Sequence, residues 1–547
     1  MRTHGEKCGG GRDRGAPSHG DGAGEHGRRL AAPGRCGPAA RAAVVAAPLA
    51  AAVAALLVAP AALADEPRSA TEPRVMMEPG EVTNVIDAFD EGDPFDLNVS
   101  LGFQFFSKSA KIRRETSIAG PGLSSGWYTS NLLNVASYAE STSKLIPRID
   151  IGIYKDLAAH VSLPIILNHA RELTDLDGSA GRADYALRGA PGETLVGLPF
   201  TSPDRSGLEH LGLGIDLGIM NQARVRTKPT WLLGFEVRLP ISEPMHACTT
   251  AADKLEAGQV ECADPSDINR NGQRDGDFEG NDVTPREPGV GRGTIGLEVH
   301  TVLSKRIKYV EPYGGFRALF EFYGNSEDFN LTDLDTSLVN NPPIVGTVML
   351  GMMIHPWENR EKYGRLTFDL RVEGEYHSEG RDYSELFDAL GSSDAPSLRN
   401  PQWAAYTGGA CVDGDNNPMT PCTSTSVVDE GSQKTYFTGL SDVQPYGSVR
   451  ASASATWQAS EFVKFQFGVG FRHDGGHGIG GDQPCNPERK DDISQSGPCR
   501  REAGNGVYTQ TGSPNPNYRQ TINAVGRRFY VDQSNTFDVF ASGVVMF

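Results

Sequence analysis

From Leu211 to Ile219 every odd residue is apolar, while Gly212, Gly214, Asp216 and Gly218 fill the places between. Side chains that alternate with a period of two belong to a strand whose two faces meet different surroundings. Trp231, Leu233, Phe235, Val237 and Leu239 repeat the pattern around Gly234, Glu236 and Arg238. Leu366, Phe368, Leu370, Val372 and Tyr376 repeat it around Asp369, Arg371, Glu373 and Glu375. Twelve such segments are predicted, near 95–106, 144–154, 159–168, 208–220, 230–240, 293–304, 309–323, 345–356, 364–377, 443–457, 461–472 and 536–547. After Ala64 no apolar run approaches the roughly 18 residues of a spanning helix.

The connections alternate without exception. Short ones fall at 155–158, 221–229, 305–308, 357–363 and 458–460, and long ones at 107–143, 169–207, 241–292, 324–344, 378–442 and 473–535. An antiparallel meander with its long loops at one end has the organisation of a transmembrane barrel, with short turns facing the periplasm and long loops outside. A secreted sandwich or propeller would also alternate, but no blade-like repeat of about 40–50 residues is visible. The expected fold is therefore all-β: a 12-stranded antiparallel up-and-down barrel over 95–547.

The final segment carries Phe537, Val539, Ala541, Gly543 and Val545 in alternation and ends on Phe547. In this it resembles Gram-negative outer-membrane β-barrel proteins of the porin or transporter kind. The resemblance implies that Phe547 is an assembly signal read by the barrel-assembly machinery, and that the chain resides among outer-membrane lipid.

A barrel of this kind must turn its apolar residues to lipid, because a Lys or Arg there costs about 2–4 kcal/mol at mid-depth. The alternate residues then line the lumen: Arg148, Asp150, Asp216, Glu236, Arg238, Glu298, His300, Arg317, Glu321, Asp369, Arg371, Glu373, Glu375, Arg450, Lys464 and Arg472. This explains a mean hydropathy of only −0.37. Charges of both signs leave two lumens open: an aqueous channel between charged walls, or a narrow barrel plugged by paired charges. Tyr309, Trp357, Tyr363, Trp457, Phe529 and Tyr530 are expected in aromatic girdles. The net charge of −18 argues against nucleic acid as a partner, since phosphate binding needs surplus Lys and Arg.

Residues 1–64 read as a leader: Arg41 precedes an apolar, alanine-rich run that ends in Ala62-Leu63-Ala64, as in a secretory signal peptide. A transmembrane anchor is the alternative. Residues 65–94 form a periplasmic N-terminal segment, either a loose tail or, from the spacing of Val82, Val85, Ile86 and Phe89, a small plug. Beyond the leader six cysteines fall into close pairs, Cys248 with Cys262, Cys411 with Cys422 and Cys485 with Cys499, which on an exported chain read as disulfides.

In the loop at 241–292, Asp267, Asn269, Asn271, Asp275 and Asp277 space oxygen donors around Gly272 as a hard cation requires, so Ca2+ is the expected ion, with a merely acidic turn as the rival. No enzyme is expected. Outer-membrane phospholipases resemble the chain in strand number, but His377 and Ser378 are adjacent and so point to opposite faces of a strand. His473 and His477 lack a third ligand in the sequence, and Glu373 with Glu375 is explained by the lumen wall. The expected function is a porin-like channel or transporter for small solutes. The alternative is a closed barrel displaying calcium-bound, disulfide-tied loops to a partner.

Overall fold

The computed structural model describes residues 82–83, 85, 96–119, 128–176, 186–189, 193–222, 224–225, 227–250, 260–264, 286–324, 328–329, 341–399, 411–412, 418–419, 427–428, 437–482, 500–502, 508–510 and 518–547. Twelve antiparallel strands close on themselves. They are β1 (Leu97–Ala119), β2 (Tyr128–Tyr154), β3 in two pieces (Leu157–Ser162 and Ile165–Asp175) and β4 in two pieces (Arg205–Leu208 and Leu211–Met220). There follow β5 (Thr230–Leu239), β6 (Thr294–Ser304), β7 (Val310–Tyr323), β8 (Val345–Asn359) and β9 (Gly364–His377). The last three are β10 (Tyr446–Ser460), β11 (Val463–Asp474) and β12 (Phe529–Met546). Each pairs with its sequence neighbour, and β12 pairs with β1 along Asn98↔Met546 to Arg114↔Phe529. The terminal Phe547 seals the seam, since its N–H donates to Leu97 O at 2.8 Å and its carbonyl accepts from Leu97 N–H at 3.1 Å. No backbone edge is left between first and last strand, the condition for strands in a bilayer. No helix among the described residues is long and apolar enough to cross a membrane.

The outer face is a continuous apolar band. Val99, Leu101, Phe103, Ile149, Ile151, Leu213, Ile215, Phe235, Leu350, Val372, Phe467 and Val469 are all exposed. A patch of this extent far exceeds what a soluble monomer exposes. Tyr154, Tyr309, Trp357, Tyr363 and Trp457 are exposed near the short turns, with Tyr323 and Tyr376 at the opposite rim. Together these are the marks of an outer-membrane-type barrel.

Two expectations are corrected. The long connection expected at 107–143 is mostly strand, because β1 and β2 run on as a ladder to Ala119↔Tyr128. About ten residues cross a bilayer; the rest stand beyond it. There the two faces exchange character. Ser109 and Lys111 are exposed outside, whereas Ala110 and Ile112 are buried inside. The apolar alternation expected of a lipid-facing strand disappears where water replaces lipid. Phe529 is likewise no girdle residue: it is 1% exposed and buried with Val531 and Ile522 above the band.

A packed cap stands at the long-loop end. Leu187 and Leu195 from one connection, Leu386, Leu390, Leu398 and Phe437 from a second, and Ile479 and Ile522 from a third form one hydrophobic core with the upper parts of β1 and β2. At the short-turn end, Thr83 is buried and its Oγ1 lies 3.0 Å from Ser304 Oγ, while Val82 packs against Val302, Tyr313, Met349 and Met353. This part of the N-terminal segment therefore enters the barrel. Residues 1–64 and nearly all of 65–94 lie outside the described residues.

Leu350 provides a direct test of the apolar band, being 66% exposed at the middle of β8. Leu350→Arg is expected to destabilise the barrel by about 2–4 kcal/mol, read as a lower urea midpoint for loss of the heat-modifiable SDS band. An unchanged midpoint would mean that this face meets water.

Candidate functional site

Reversing the parity of the apolar band gives the inner wall. Every charged residue expected there occupies a half-buried or buried place on the face opposite the exposed apolar side chains. One cluster spans β2 to β6. Arg148 Nη2 is 2.6 Å from Asp150 Oδ1 and 3.6 Å from Asp216 Oδ2. His160 Nδ1 is 2.9 Å from Asp216 Oδ2, and its Nε2 is 3.2 Å from Glu236 Oε2. Arg238 joins Glu236 at 2.9 Å to Glu298 at 2.6 Å, and His300 Nε2 stands 3.2 Å from Asp216 Oδ1.

A second cluster spans β7 to β12. Tyr313 donates its hydroxyl hydrogen to Asp369 at 2.7 Å and accepts from Arg371 Nε at 2.8 Å. Arg450 lies 3.2 Å from Glu373 and 2.8 Å from Asp538. Arg472 bridges Glu375 at 3.0 Å and Asp474 at 2.5 Å, and Arg317 reaches Glu375 at 3.5 Å. Glu321 accepts from Arg292, and Lys464 is buried on the same wall. These pairs join residues of one strand, of neighbouring strands or of strands one apart. They run round the wall rather than across it.

His160, Tyr313 and Asp538 were missed from sequence. Each sits on the inner face but is a single polar residue in an apolar stretch, and parity relative to Val161, Phe316 and Phe537 was the signal available. On β8 the inner wall carries buried methionines, Met349 and Met353, between the buried Thr347 and His355.

Above the wall the cap is pinned by buried charge. Arg205 grips Asp388 through two hydrogen bonds, at 2.6 and 3.1 Å, and also donates to His246 O at 2.9 Å. Asp388 sits on a short, wholly buried helix, Phe387–Gly391, and its Oδ1 also accepts from Cys248 N–H at 3.1 Å. Cys248 is disulfide-bonded to Cys262, so that loop is tied to the same carboxylate. Nearby, Arg381 bonds to Asp482 at 3.2 Å. Burial, followed by the neighbouring charges of Asp482 and Glu379, pushes the Asp442 carboxyl up to about 9.

The residues singled out for calcium, Asp267, Asn269, Asn271, Asp275 and Asp277, lie outside the described residues. So do Cys422, Cys485 and Cys499, and with them two of the three expected disulfides.

No protein-family model matches the chain, and no curated protein matches it in sequence. In structure it is similar to an outer-membrane channel from Pseudomonas putida F1, at 9% identity over 86% of this chain and 99% of that one, TM-score 0.32. A deltaS2 mutant of the TodX monoaromatic hydrocarbon channel is similar at 7% identity over 86% and 94%, TM-score 0.29. The outer membrane protease OmpT from Escherichia coli is similar at 7% identity over 84% and 99%, TM-score 0.25. Channels and a protease stand side by side among these structures, so function has to be argued from this chain's own geometry.

Removing one partner of a buried charge pair costs about 3–5 kcal/mol, because the other is left unpaired. Asp388→Ala is therefore expected to open the cap while the barrel stays closed: rapid proteolysis within 383–399 with a retained heat-modifiable band. For Asp442 the sign follows from proton uptake. Its folded carboxyl holds a proton well above the 3.8 of an ordinary Asp, so the folded chain binds more protons in between. Cap stability should then fall as pH rises from about 4 towards about 9. Near-UV circular dichroism melts across that range would show the fall, and Asp442→Asn would flatten it.

Proposed function

We propose that the chain is a channel or transporter for small solutes in the Gram-negative outer membrane, with a hydrated, charged lumen and a cap that controls entry from outside. The observation that carries this is the state of the inner-wall arginines. Arg148, Arg238 and Arg472 keep 37%, 30% and 27% of their side-chain surface despite facing inward. A dry interior packed with charge would leave no such surface, and unsolvated ion pairs there would be expensive. Ion pairs that follow the wall also leave the axis to water. Opposed charges lining a polar lumen would screen solutes by size and charge.

The remaining parts of this reading rest on sequence. Residues 1–64 would be the export leader, and Phe547, exposed beside the closing seam, would be read by the barrel-assembly machinery. The loop bearing Asp267 to Asp277 would take Ca2+ on the strength of its donor spacing. A second reading has an observation of its own, the buried helix Phe387–Gly391 within a continuous apolar cap. In that reading the barrel stays shut and serves as a mount for surface loops.

Planar-bilayer recording on the purified full chain separates the two. Discrete conductance steps are expected, with a larger open fraction for Leu390→Asp, which places a charge in the cap core. Silence in both proteins, each still heat-modifiable, would eliminate the channel and favour the mount.

A further inference from the structure

The cluster at β2 to β6 has features that lining a lumen does not require. His160 is almost wholly buried, and its ring packs closely against Gly214: a Cβ added there would meet His160 Nε2 at 2.2 Å. His300 packs in the same way against Gly234, where a Cβ would meet its Nε2 at 2.3 Å and Asp216 Oδ1 at 2.4 Å. Two glycines on adjacent strands thus make room for two imidazoles beside one carboxylate. One donor atom from each of Asp150, His160 and Asp216 lies within 4.8 Å of the others. Asp216 Oδ1 is buried with His300 Nε2 at 3.2 Å as its neighbour, and His300 Nδ1 is buried with no hydrogen-bond partner among the described residues.

From this geometry we propose a binding site for one divalent transition-metal ion, with Asp150, His160 and Asp216 as ligands. His160 would bind through Nδ1, the atom that already faces Asp216 Oδ2. Its Nε2–H points at Glu236 Oε2, the carboxylate partner that commonly fixes the tautomer and orientation of a ligating histidine. His300, beside Asp216 Oδ1, positions that carboxylate from the other side. One imidazole and two carboxylates, with a place left for water, suit Zn2+ and its neighbours in the first transition row.

Charge balance points the same way. Asp150, Asp216, Glu236 and Glu298 face two guanidinium groups, Arg148 and Arg238. The carboxylates outnumber the guanidinium groups, an excess that a divalent ion offsets. Arg148 now occupies part of that place, at 2.6 Å from Asp150 and 3.6 Å from Asp216. The ion and the Arg148 guanidinium are therefore competitors for the same oxygens. The site stands apart from the channel reading, since it needs neither an open cap nor ion flow.

The test is calorimetric titration of ZnCl2 into the detergent-purified full chain, with Ca2+ present to fill the external loop. One Zn2+ per chain is expected to bind saturably. Asp216→Asn should weaken that binding by about tenfold or more, and Arg148→Gln should tighten it. A paired change of opposite sign in two proteins that keep the heat-modifiable band cannot come from misfolding or from histidines elsewhere on the surface. No saturable binding, or equal affinity in the wild type and both variants, would overturn the proposal. Neither result depends on whether conductance is seen.

Discussion

In a bilayer no water is available to satisfy a free peptide N–H or C=O, and each one left unpaired costs several kcal/mol. The seam between β1 and β12 answers that constraint here. Its register runs from Asn98↔Met546 upward and is locked at the bottom by the two hydrogen bonds between Leu97 and Phe547. Once the ladder is closed, side chains alternate in and out between the register shifts, and the charged wall and the apolar band follow from which side a residue falls on. One-residue slippage at the seam would bring Asp538 to lipid and Phe537 inward, so the charged wall and the apolar band fix the register together.

The exchange of character along β1 and β2 shows where the membrane ends. Below Phe105 the outer residues are apolar and the inner ones polar; above Ser109 the assignment reverses. The ladder continues to Ala119 with a register shift at Ile112/Arg113 against β2 and one between Ala110 and Ile112 against β12, while the in-out parity along β1 is kept. What changes is the surroundings on each side, with lipid giving way to water outside and the charged wall giving way to the cap core inside. This is why the strands could be read from the sequence within the membrane and not beyond it. A pattern search for lipid-facing alternation finds Val99, Leu101 and Phe103 and stops where Lys111 replaces them. The cap itself was illegible for a different reason. Leu195, Leu390, Phe437 and Ile522 come from three separate connections, and no local periodicity relates them.

The inner wall was partly legible by the same logic. Arg148, Glu236 and Arg371 stand between apolar residues that have to face lipid, so parity alone puts them inside. His160 and Tyr313 obey that parity too, yet a lone histidine or tyrosine is tolerated on either face and gives a weak signal. What sequence could not supply is pairing. Arg450 reaches Glu373 on one neighbouring strand and Asp538 beyond the other, a relation set by strand order and shear rather than by spacing in the chain. Glycine made a similar contribution that is visible only in three dimensions. Gly214 and Gly234 read as ordinary alternation fillers, but each is the floor beneath an imidazole.

The division of charge between wall and cap bears on how the two parts respond to change. On the wall each arginine stays partly exposed while its carboxylate partners are largely buried, and the pairs are redundant: Arg472 keeps Asp474 if Glu375 is lost, and Arg371 keeps Tyr313 if Asp369 is lost. Loss of one pair therefore leaves the arginine a second partner. In the cap the Arg205–Asp388 pair is buried and shares its carboxylate with Cys248, so two connections and the top of β4 depend on one side chain. The barrel therefore resists perturbation through many redundant contacts and a closed ladder, whereas the cap is held by few. A structure built in this way can open at one end without unfolding, which a gated channel requires and a rigid mount does not.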